Sequence, residues 1–116
     1  MTQRRLRLGA SGEDRAAAWY EGNGYEVLDR NWRCREGELD LVCHRDGVIV
    51  FSEVKTRSSL VYGHPAEAVT PAKQRKVRQV ATRWLGAHRD REYARGLRFD
   101  VVAVLPGEVS VIEAAF

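Results

Sequence analysis

Two acidic residues and a lysine near the middle of the chain have the types and spacing of a metal-dependent hydrolytic site. Asp40 precedes the pattern Glu53-Val54-Lys55 by thirteen residues. Carboxylates bind hard divalent cations such as Mg²⁺, and a nearby lysine can stabilise negative charge that develops on a phosphate. The acid-x-Lys pattern alone is expected about once by chance in a chain of this size. Its meaning therefore depends on whether the fold brings Asp40 to Glu53.

The segments that carry these residues predict a β-hairpin. Residues 38–44 and 48–56 are rich in strand-forming residues, and Asp46-Gly47 between them is a strong signal for a two-residue turn. Such a turn pairs residues whose numbers sum to 93, so Asp40 faces Glu53, with Cβ atoms about 5 Å apart. Like charges at that distance repel unless something positive lies between them. If the turn is one residue longer, the pair becomes diagonal.

The same register predicts which hairpin residues share a face. One face carries Leu39, Leu41, Cys43, Val50 and Val54 and is expected to be buried, whereas the acids lie among Val42, Ile49 and Phe51. A carboxylate pair in such partly apolar surroundings suits a divalent cation. The alternative is a set of surface ions in which Lys55 pairs with Glu38, and the hairpin alone leaves both open.

A third acid is predicted on the first helix. Ser11 can cap a helix that has Asp14 at the capping-box position and that ends at Gly22-Asn23-Gly24. Within it, Glu13 shares the apolar face of Ala16, Ala17 and Tyr20. Because burying an unpaired carboxylate is costly, a metal site or Lys55 is expected to compensate it. The alternative is a Glu13 in the first turn, favoured there by the helix dipole, with its carboxylate in water.

A basic helix is predicted from Pro71 to about His88. Its apolar stripe consists of Val77, Val80, Ala81, Trp84 and His88, and Pro71 suits its first turn. Lys73 leans toward the sheet and is the candidate to reach the acid cluster or a scissile phosphate. Lys76, Arg83 and Arg57 are predicted to contact the phosphate backbone without reading sequence.

The charge distribution agrees with a nucleic-acid partner. Residues 71–98 contain nine basic and two acidic residues, a net charge of +7, whereas the rest contains ten basic and fourteen acidic residues, a net charge of −4. The alternative is a solvated basic helix.

A chain of 116 residues predicts a single domain, residues 1–116, with residues 1–8 as a basic, mobile tail. The apolar runs are too short to span a bilayer, and we expect a cytoplasmic protein with two reduced thiols, Cys34 and Cys43.

The remaining segments complete an α/β architecture. Strands are predicted over residues 25–34, 98–105 and 109–114, the last two parted by Pro106-Gly107, and residues 58–70, with Gly63 and Pro65, predict a loop. The order is then α-β-β-β-α-β-β, a mixed central sheet flanked by helices.

Three further polar residues have predicted roles outside the motif. Asp100 is either a further acid near the site or a partner of Arg98. His44 and His64 are expected to be structural or surface residues.

From about residue 9 to residue 111, the chain closely resembles the YraN-like family of uncharacterised bacterial proteins. The motifs that carry the resemblance are Gly12-Glu13, Gly24-Tyr25, Asn31-Trp32-Arg33, Gly37-Glu38-Leu39-Asp40-Leu41-Val42, Phe51-Ser52-Glu53-Val54-Lys55-Thr56-Arg57, Tyr62-Gly63, Lys73 and Arg98-Phe99-Asp100. That family is similar to the restriction-endonuclease-like PD-(D/E)xK superfamily, and its shape resembles archaeal Holliday-junction resolvases. Leu39 departs from the proline of the superfamily name, and Gln74 does not match the glutamine motif of some exonuclease members.

The resemblance implies a Mg²⁺- or Mn²⁺-dependent nuclease that hydrolyses phosphodiester bonds, with DNA, including branched DNA in repair or recombination, as the expected substrate. Asp40, Glu53 and the Val54 carbonyl would hold the metal, Glu13 would bind it directly or through water, and Lys55 would act on the attacking water or the transition state. A homodimer is compatible with cutting two strands. The alternative is a non-catalytic nucleic-acid-binding module that acts with a helicase or repair partner.

Overall fold

A computed structural model describes residues 2–59, 63, 64, 67, 69–88 and 94–116, with the backbone alone for residues 2–11. Tyr62 and Pro65 of the predicted loop lie outside the described residues. The elements are α1 (Thr2–Gly22), β1 (Glu26–Cys34), β2 (Gly37–Arg45), β3 (Val48–Thr56), α2 (Pro71–Ala87), β4 (Gly96–Leu105) and β5 (Glu108–Ile112). The predicted order α-β-β-β-α-β-β is confirmed.

The strands form one five-stranded mixed sheet in the order of the chain, β1-β2-β3-β4-β5. Neighbouring strands are antiparallel except β3 and β4, which are parallel. A parallel pair needs a long crossover, and α2 lies in the connection between these two strands. The mixed α/β sheet flanked by helices is therefore as the sequence predicts.

Each helix covers one face of the sheet. The apolar residues Ala16, Ala17 and Tyr20 of α1 pack in a cluster with Leu41, Cys43, Val50, Val102 and Val104. On the other face, α2 contributes Val77, Val80, Ala81 and Trp84 to a cluster with Val42, Ile49, Phe51 and Phe99. The fold thus has three layers, and the apolar stripe predicted for α2 is its buried side apart from the half-buried His88.

Neither helix among the described residues is both long enough and apolar enough to cross a membrane.

The start of α1 differs from the prediction. The helix begins at Thr2, so Ser11 lies inside it rather than at its N-cap, and residues 2–8, expected as a mobile tail, are helical. These residues include leucine, arginine and glutamine, which favour helices, so their helix propensity outweighs the cap signal at Ser11. Glu13 is therefore three turns into the helix, which removes the first-turn explanation for its position.

The hairpin register is confirmed over five pairs, from Arg45↔Val48 to Leu41↔Ser52, all of which sum to 93. Leu39 was assigned to the wrong face, because it packs in the α2 cluster beside Trp32, its partner across β1 and β2. The predicted pair of Asp40 and Glu53 is not among these pairs, which end at Leu41↔Ser52. Asp40 instead accepts the Val54 N–H through its carboxylate, while the pairing of β2 with β1 continues to Gly37.

Candidate metal and nucleic-acid site

Three carboxylates from two elements converge at one margin of the sheet. One oxygen each from Glu13 on α1 and from Glu38 and Asp40 on β2 lie within 4.8 Å of one another, and all three residues are half-buried. We call these residues the acid cluster. Glu13 therefore joins Asp40 as predicted from its helical face, although the reasoning from the first turn does not apply.

The close approach of α1 to the end of β3 brings Glu13 to this margin. A Cβ atom on Gly12 would lie 2.1 Å from Thr56 Oγ1, so the helix packs here at a distance that only glycine permits without movement of Thr56. The next residue in the helix is Glu13. The glycine thus explains locally why the carboxylate of α1 reaches β2.

Asp40 has little compensation for its charge. Its Oδ2 accepts one hydrogen bond, from the Val54 N–H at 2.8 Å. Burial raises the pKa of Asp40 to about 6, and the negative charges of Glu53, Glu13 and Glu38 add to that rise, while the Val54 N–H opposes it. A carboxyl whose pKa is raised by neighbouring carboxylates is in surroundings that a cation would stabilise.

Glu53 lies beside two lysines. The Nζ atoms of Lys55 on β3 and Lys73 on α2 are each 3.9 Å from Glu53 Oε2, and Glu53 is only 7% exposed. Burial lowers the pKa of Lys55, and the neighbouring Lys73 lowers it further. Lys73 therefore reaches the site from the helix, as its position near the start of α2 predicts.

A cavity of about 410 Å³ is lined by two members of the acid cluster and by the group of Glu53 and its lysines. Its lining includes Glu38, Asp40, Glu53, Val54, Lys55, Lys73 and Lys76. Glu36 also lines it and holds Arg83, whose Nε is 3.2 Å from Glu36 Oε1. Lys73, Lys76 and Arg83 thus lie at or beside the cavity.

Arg57 lies apart from that cavity. It is exposed, its Nη1 donates to the carbonyl of Thr56 at 3.0 Å, and it lines a separate cavity of about 500 Å³ with Arg15 and Pro106. Of the four residues predicted to bind nucleic acid, Arg57 is the one that the structure does not bring to the acids.

Two residues near the site were missed as contributors. Glu38 was considered only as a surface partner of Lys55, but it belongs to the acid cluster and its Oε2 is 2.9 Å from Arg33 Nε. Asn31 donates from Nδ2 to Glu13 Oε2 at 2.7 Å. The register could have suggested Glu38, since it lies two residues before Asp40 on the same strand; the Asn31 contact spans 18 residues and needs the fold.

Asp100 is outside this site. It is fully buried under α1, and its Oδ1 and Oδ2 accept bonds from Arg98 Nε and Nη2, both at 2.9 Å. The Tyr20 hydroxyl donates to it at 2.7 Å and the Ala114 N–H at 3.0 Å. Of the two roles considered for Asp100, the structure therefore supports the partner of Arg98.

His88, His44, Cys34 and Cys43 lie outside the acid cluster. His88 stacks on Trp84 with ring centroids 4.1 Å apart, and His44 Nε2 accepts the Gly47 N–H in the hairpin turn at 3.2 Å. Cys34 and Cys43 are free thiols, as predicted, and burial raises the pKa of Cys43 to about 12.

The donor set of the acid cluster fits a hard divalent cation. All its side-chain donors are carboxylate oxygens, which Mg²⁺ and Mn²⁺ prefer, and their spacing lets one ion contact several of them. Glu53, which was predicted as a ligand with Asp40, is adjacent but faces the lysines. The structure thus places Asp40 and Glu13 together, with Glu53, Lys55 and Lys73 beside them, and adds Glu38 as a further candidate ligand.

Comparison with known proteins gives a consistent family assignment. The model of the uncharacterised protein family UPF0102 matches residues 12–104. A UPF0102 protein of Beutenbergia cavernae is 55% identical over 98 residues, which cover 84% of this chain and 81% of that protein. A UPF0102 protein of Frankia casuarinae is 50% identical over 115 residues, which cover 94% of this chain and 95% of that protein. These matches confirm the YraN-like resemblance found from the sequence motifs.

Proposed function

We propose that this chain, which belongs to the uncharacterised protein family UPF0102, is a divalent-metal-dependent nuclease. The observation that carries the proposal is the convergence of Glu13, Glu38 and Asp40 within 4.8 Å, beside the cavity that Glu38 and Asp40 line together with Glu53 and its two lysines. The resemblance of these motifs to the PD-(D/E)xK superfamily supports the same assignment.

The reaction we propose is hydrolysis of a phosphodiester. Water oxygen bonds to phosphorus, the bond from phosphorus to one ester oxygen breaks, and the products are a phosphate monoester and a hydroxyl group. Bound Mg²⁺ or Mn²⁺ would neutralise phosphate charge and lower the pKa of a bound water. Asp40, Glu53 and the Val54 carbonyl, with Glu13 and Glu38, would hold the ion.

The lysines would act on the phosphate and the attacking water. Lys55 is half-buried and its lowered pKa makes the neutral amine more accessible, so it can orient a water or take its proton. Lys73 is more exposed, and its charge would stabilise the negative charge that develops on the phosphate. Lys76 and Arg83 would hold the phosphate backbone on either side of the scissile bond.

The substrate we propose is DNA in the cytoplasm, with branched DNA from repair or recombination as the first to test. The basic surface of α2 beside the cavity supports a polyanionic substrate, because phosphate contacts supply most of the sequence-independent affinity for nucleic acid. A homodimer would bring two such sites to two strands.

The test is a cleavage panel with single-stranded DNA, duplex DNA, a four-way junction and RNA in Mg²⁺ or Mn²⁺. We expect cleavage of at least one DNA substrate, and its loss in Glu53→Ala and Lys55→Ala. The matched control is Glu26→Gln, which removes an exposed acid of β1 away from the cavity and should leave cleavage unchanged. If metal-dependent cleavage persists in Glu53→Ala at the wild-type rate, the mechanism is wrong.

The same panel separates the alternative of a nucleic-acid-binding module. The observation in its favour is that Glu53 already has two lysines beside it, which compensate its charge without an ion. Salt-sensitive binding of DNA with no product in either metal would support that module over the nuclease. Binding should then depend on Lys73 and Lys76 but not on Mn²⁺.

A further inference from the structure

Asn31 has a backbone conformation that residues other than glycine rarely adopt within a strand. Its φ is 51°, although it lies in the middle of β1. The pairs Arg30↔Leu41 and Trp32↔Leu39 flank it, so its place in the register is opposite Asp40. Left-handed backbone costs free energy for a residue with a Cβ atom, and such strain persists where the surrounding structure imposes it, often at functional sites.

Core packing does not account for this conformation, because Asn31 is exposed. Its side chain instead donates from Nδ2 to Glu13 Oε2 at 2.7 Å. Glu13 is the member of the acid cluster that comes from a different layer of the fold, so its carboxylate needs a tether to stay near two like charges on β2.

We propose that Asn31 is a positioning residue that holds Glu13 toward Glu38 and Asp40 and so sets the affinity of the cluster for a divalent cation. This inference rests on the proposed function, which makes the acid cluster a metal site. A neutral amide suits the role, because it fixes the carboxylate without neutralising it, whereas a lysine or arginine at this place would compete with the metal. Partners that orient a metal ligand commonly contribute tenfold or more to affinity.

The test is Mn²⁺ binding to the full chain by isothermal titration calorimetry, with thermal unfolding measured alongside. Asn31→Gly keeps the left-handed backbone at no steric cost and removes only the amide. We expect it to fold like the wild type and to bind Mn²⁺ about tenfold more weakly. The matched control is Asp46→Gly, since Asp46 also has a positive φ, of 52°, but lies in the β2–β3 turn; its Mn²⁺ affinity should be unchanged.

A double-mutant cycle with Glu13→Gln tests whether Asn31 acts through Glu13. In the Glu13→Gln background, Asn31→Gly should weaken Mn²⁺ binding less than about twofold, because the carboxylate it positions is gone. Wild-type Mn²⁺ affinity in Asn31→Gly, or the full tenfold loss in both backgrounds, would overturn the inference while leaving the metal site in place. A wild-type chain that binds no Mn²⁺ would overturn the proposed function itself.

Discussion

Asp40 and Asp100 are both aspartates on strands of one sheet, yet their surroundings differ in almost every respect that concerns charge. Asp100 is 0% exposed, and four N–H and O–H groups donate to its two oxygens, two of them from the Arg98 guanidinium. Asp40 is half-buried, accepts one N–H, and has Glu13, Glu38 and Glu53 as negatively charged neighbours against Lys55 as a positive one.

The difference separates a structural acid from a candidate functional one. Asp100 is the more buried of the two aspartates and has the larger desolvation cost, so burial alone would point to Asp100 as the functional acid. Its donors compensate that cost, so the Asp100 network contributes to stability. Asp40 accepts one N–H and lies near three other carboxylates, and this repulsion destabilises the metal-free protein. A bound cation would reduce the repulsion. The shortage of donors, rather than burial, marks the site.

The largest effect is expected from Asp100→Ala. It removes the acceptor of the Tyr20 hydroxyl proton and two of the bonds that the Arg98 guanidinium makes, and breaking a buried pair from one side typically costs roughly 3–5 kcal/mol. Urea denaturation should show that loss in the free energy of unfolding, while the Mn²⁺ affinity of the folded protein stays at the wild-type value. A loss below about 1 kcal/mol would mean that the network is not the structural element described.

The second effect is stabilisation by the ion itself. Mn²⁺ would place positive charge between the three carboxylates of the acid cluster, and a ligand at 100 times its dissociation constant stabilises the folded state by about 2.7 kcal/mol. Thermal unfolding with and without Mn²⁺ should show an upward shift for the wild type and none for Asp40→Asn. An equal shift in Asp40→Asn would place the ion elsewhere on the protein.

The third effect is a gain in stability when Asp40→Asn is made in the absence of metal. The folded-state pKa of Asp40, about 6, is above its ordinary value of 3.8, so the folded state binds the proton more tightly. Stability from this group is present below pH of about 4 and is lost as the pH rises to about 6. Asp40→Asn removes the charge and should be more stable than the wild type at pH 8, by on the order of 2 kcal/mol.

The control for that prediction is the pH dependence of the difference in stability between Asp40→Asn and the wild type. Near pH 4 the wild-type Asp40 is protonated when folded, so the advantage of Asp40→Asn should shrink as the pH falls from 6 to 4. Chemical denaturation at several pH values measures the difference. A constant difference across that range, or a loss of stability at pH 8, would show that the like charges around Asp40 do not govern its energetics.

The sequence predicts these two regions unequally, for physical reasons. The acid cluster depends partly on local rules: the Asp46-Gly47 turn determines the register of β2 and β3, and helical periodicity places Glu13 on the inner face of α1. Those rules predicted the element order and five cross-strand pairs. They did not predict that this pairing ends at Leu41↔Ser52, before Asp40 and Glu53, or that Leu39 packs on the α2 side.

The Asp100 network depends on contacts that no local pattern encodes. Tyr20 and Asp100 are 80 residues apart, and the Ala114 N–H comes from beyond the last strand. The pattern around Asp100 shows only an acid in an apolar strand, which fits either role until α1 is placed over β4. Likewise, the Asn31–Glu13 contact requires both the layer of α1 and an unusual backbone angle.

The smallest expected effect is that of Ser52→Ala, and it tests whether the two regions are independent. Ser52 hydrogen-bonds to the Tyr20 hydroxyl on the α1 face, whereas the next residue, Glu53, faces the lysines. The substitution removes one hydrogen bond but leaves the bond from Tyr20 to Asp100, so the free energy of unfolding should fall by only about 1 kcal/mol. Because Ser52 belongs neither to the acid cluster nor to the lining of the cavity, Mn²⁺ affinity should not change. A tenfold loss of affinity in calorimetry would show that β3 transmits the state of one region to the other, and the structural acid and the candidate functional acid would then not be independent.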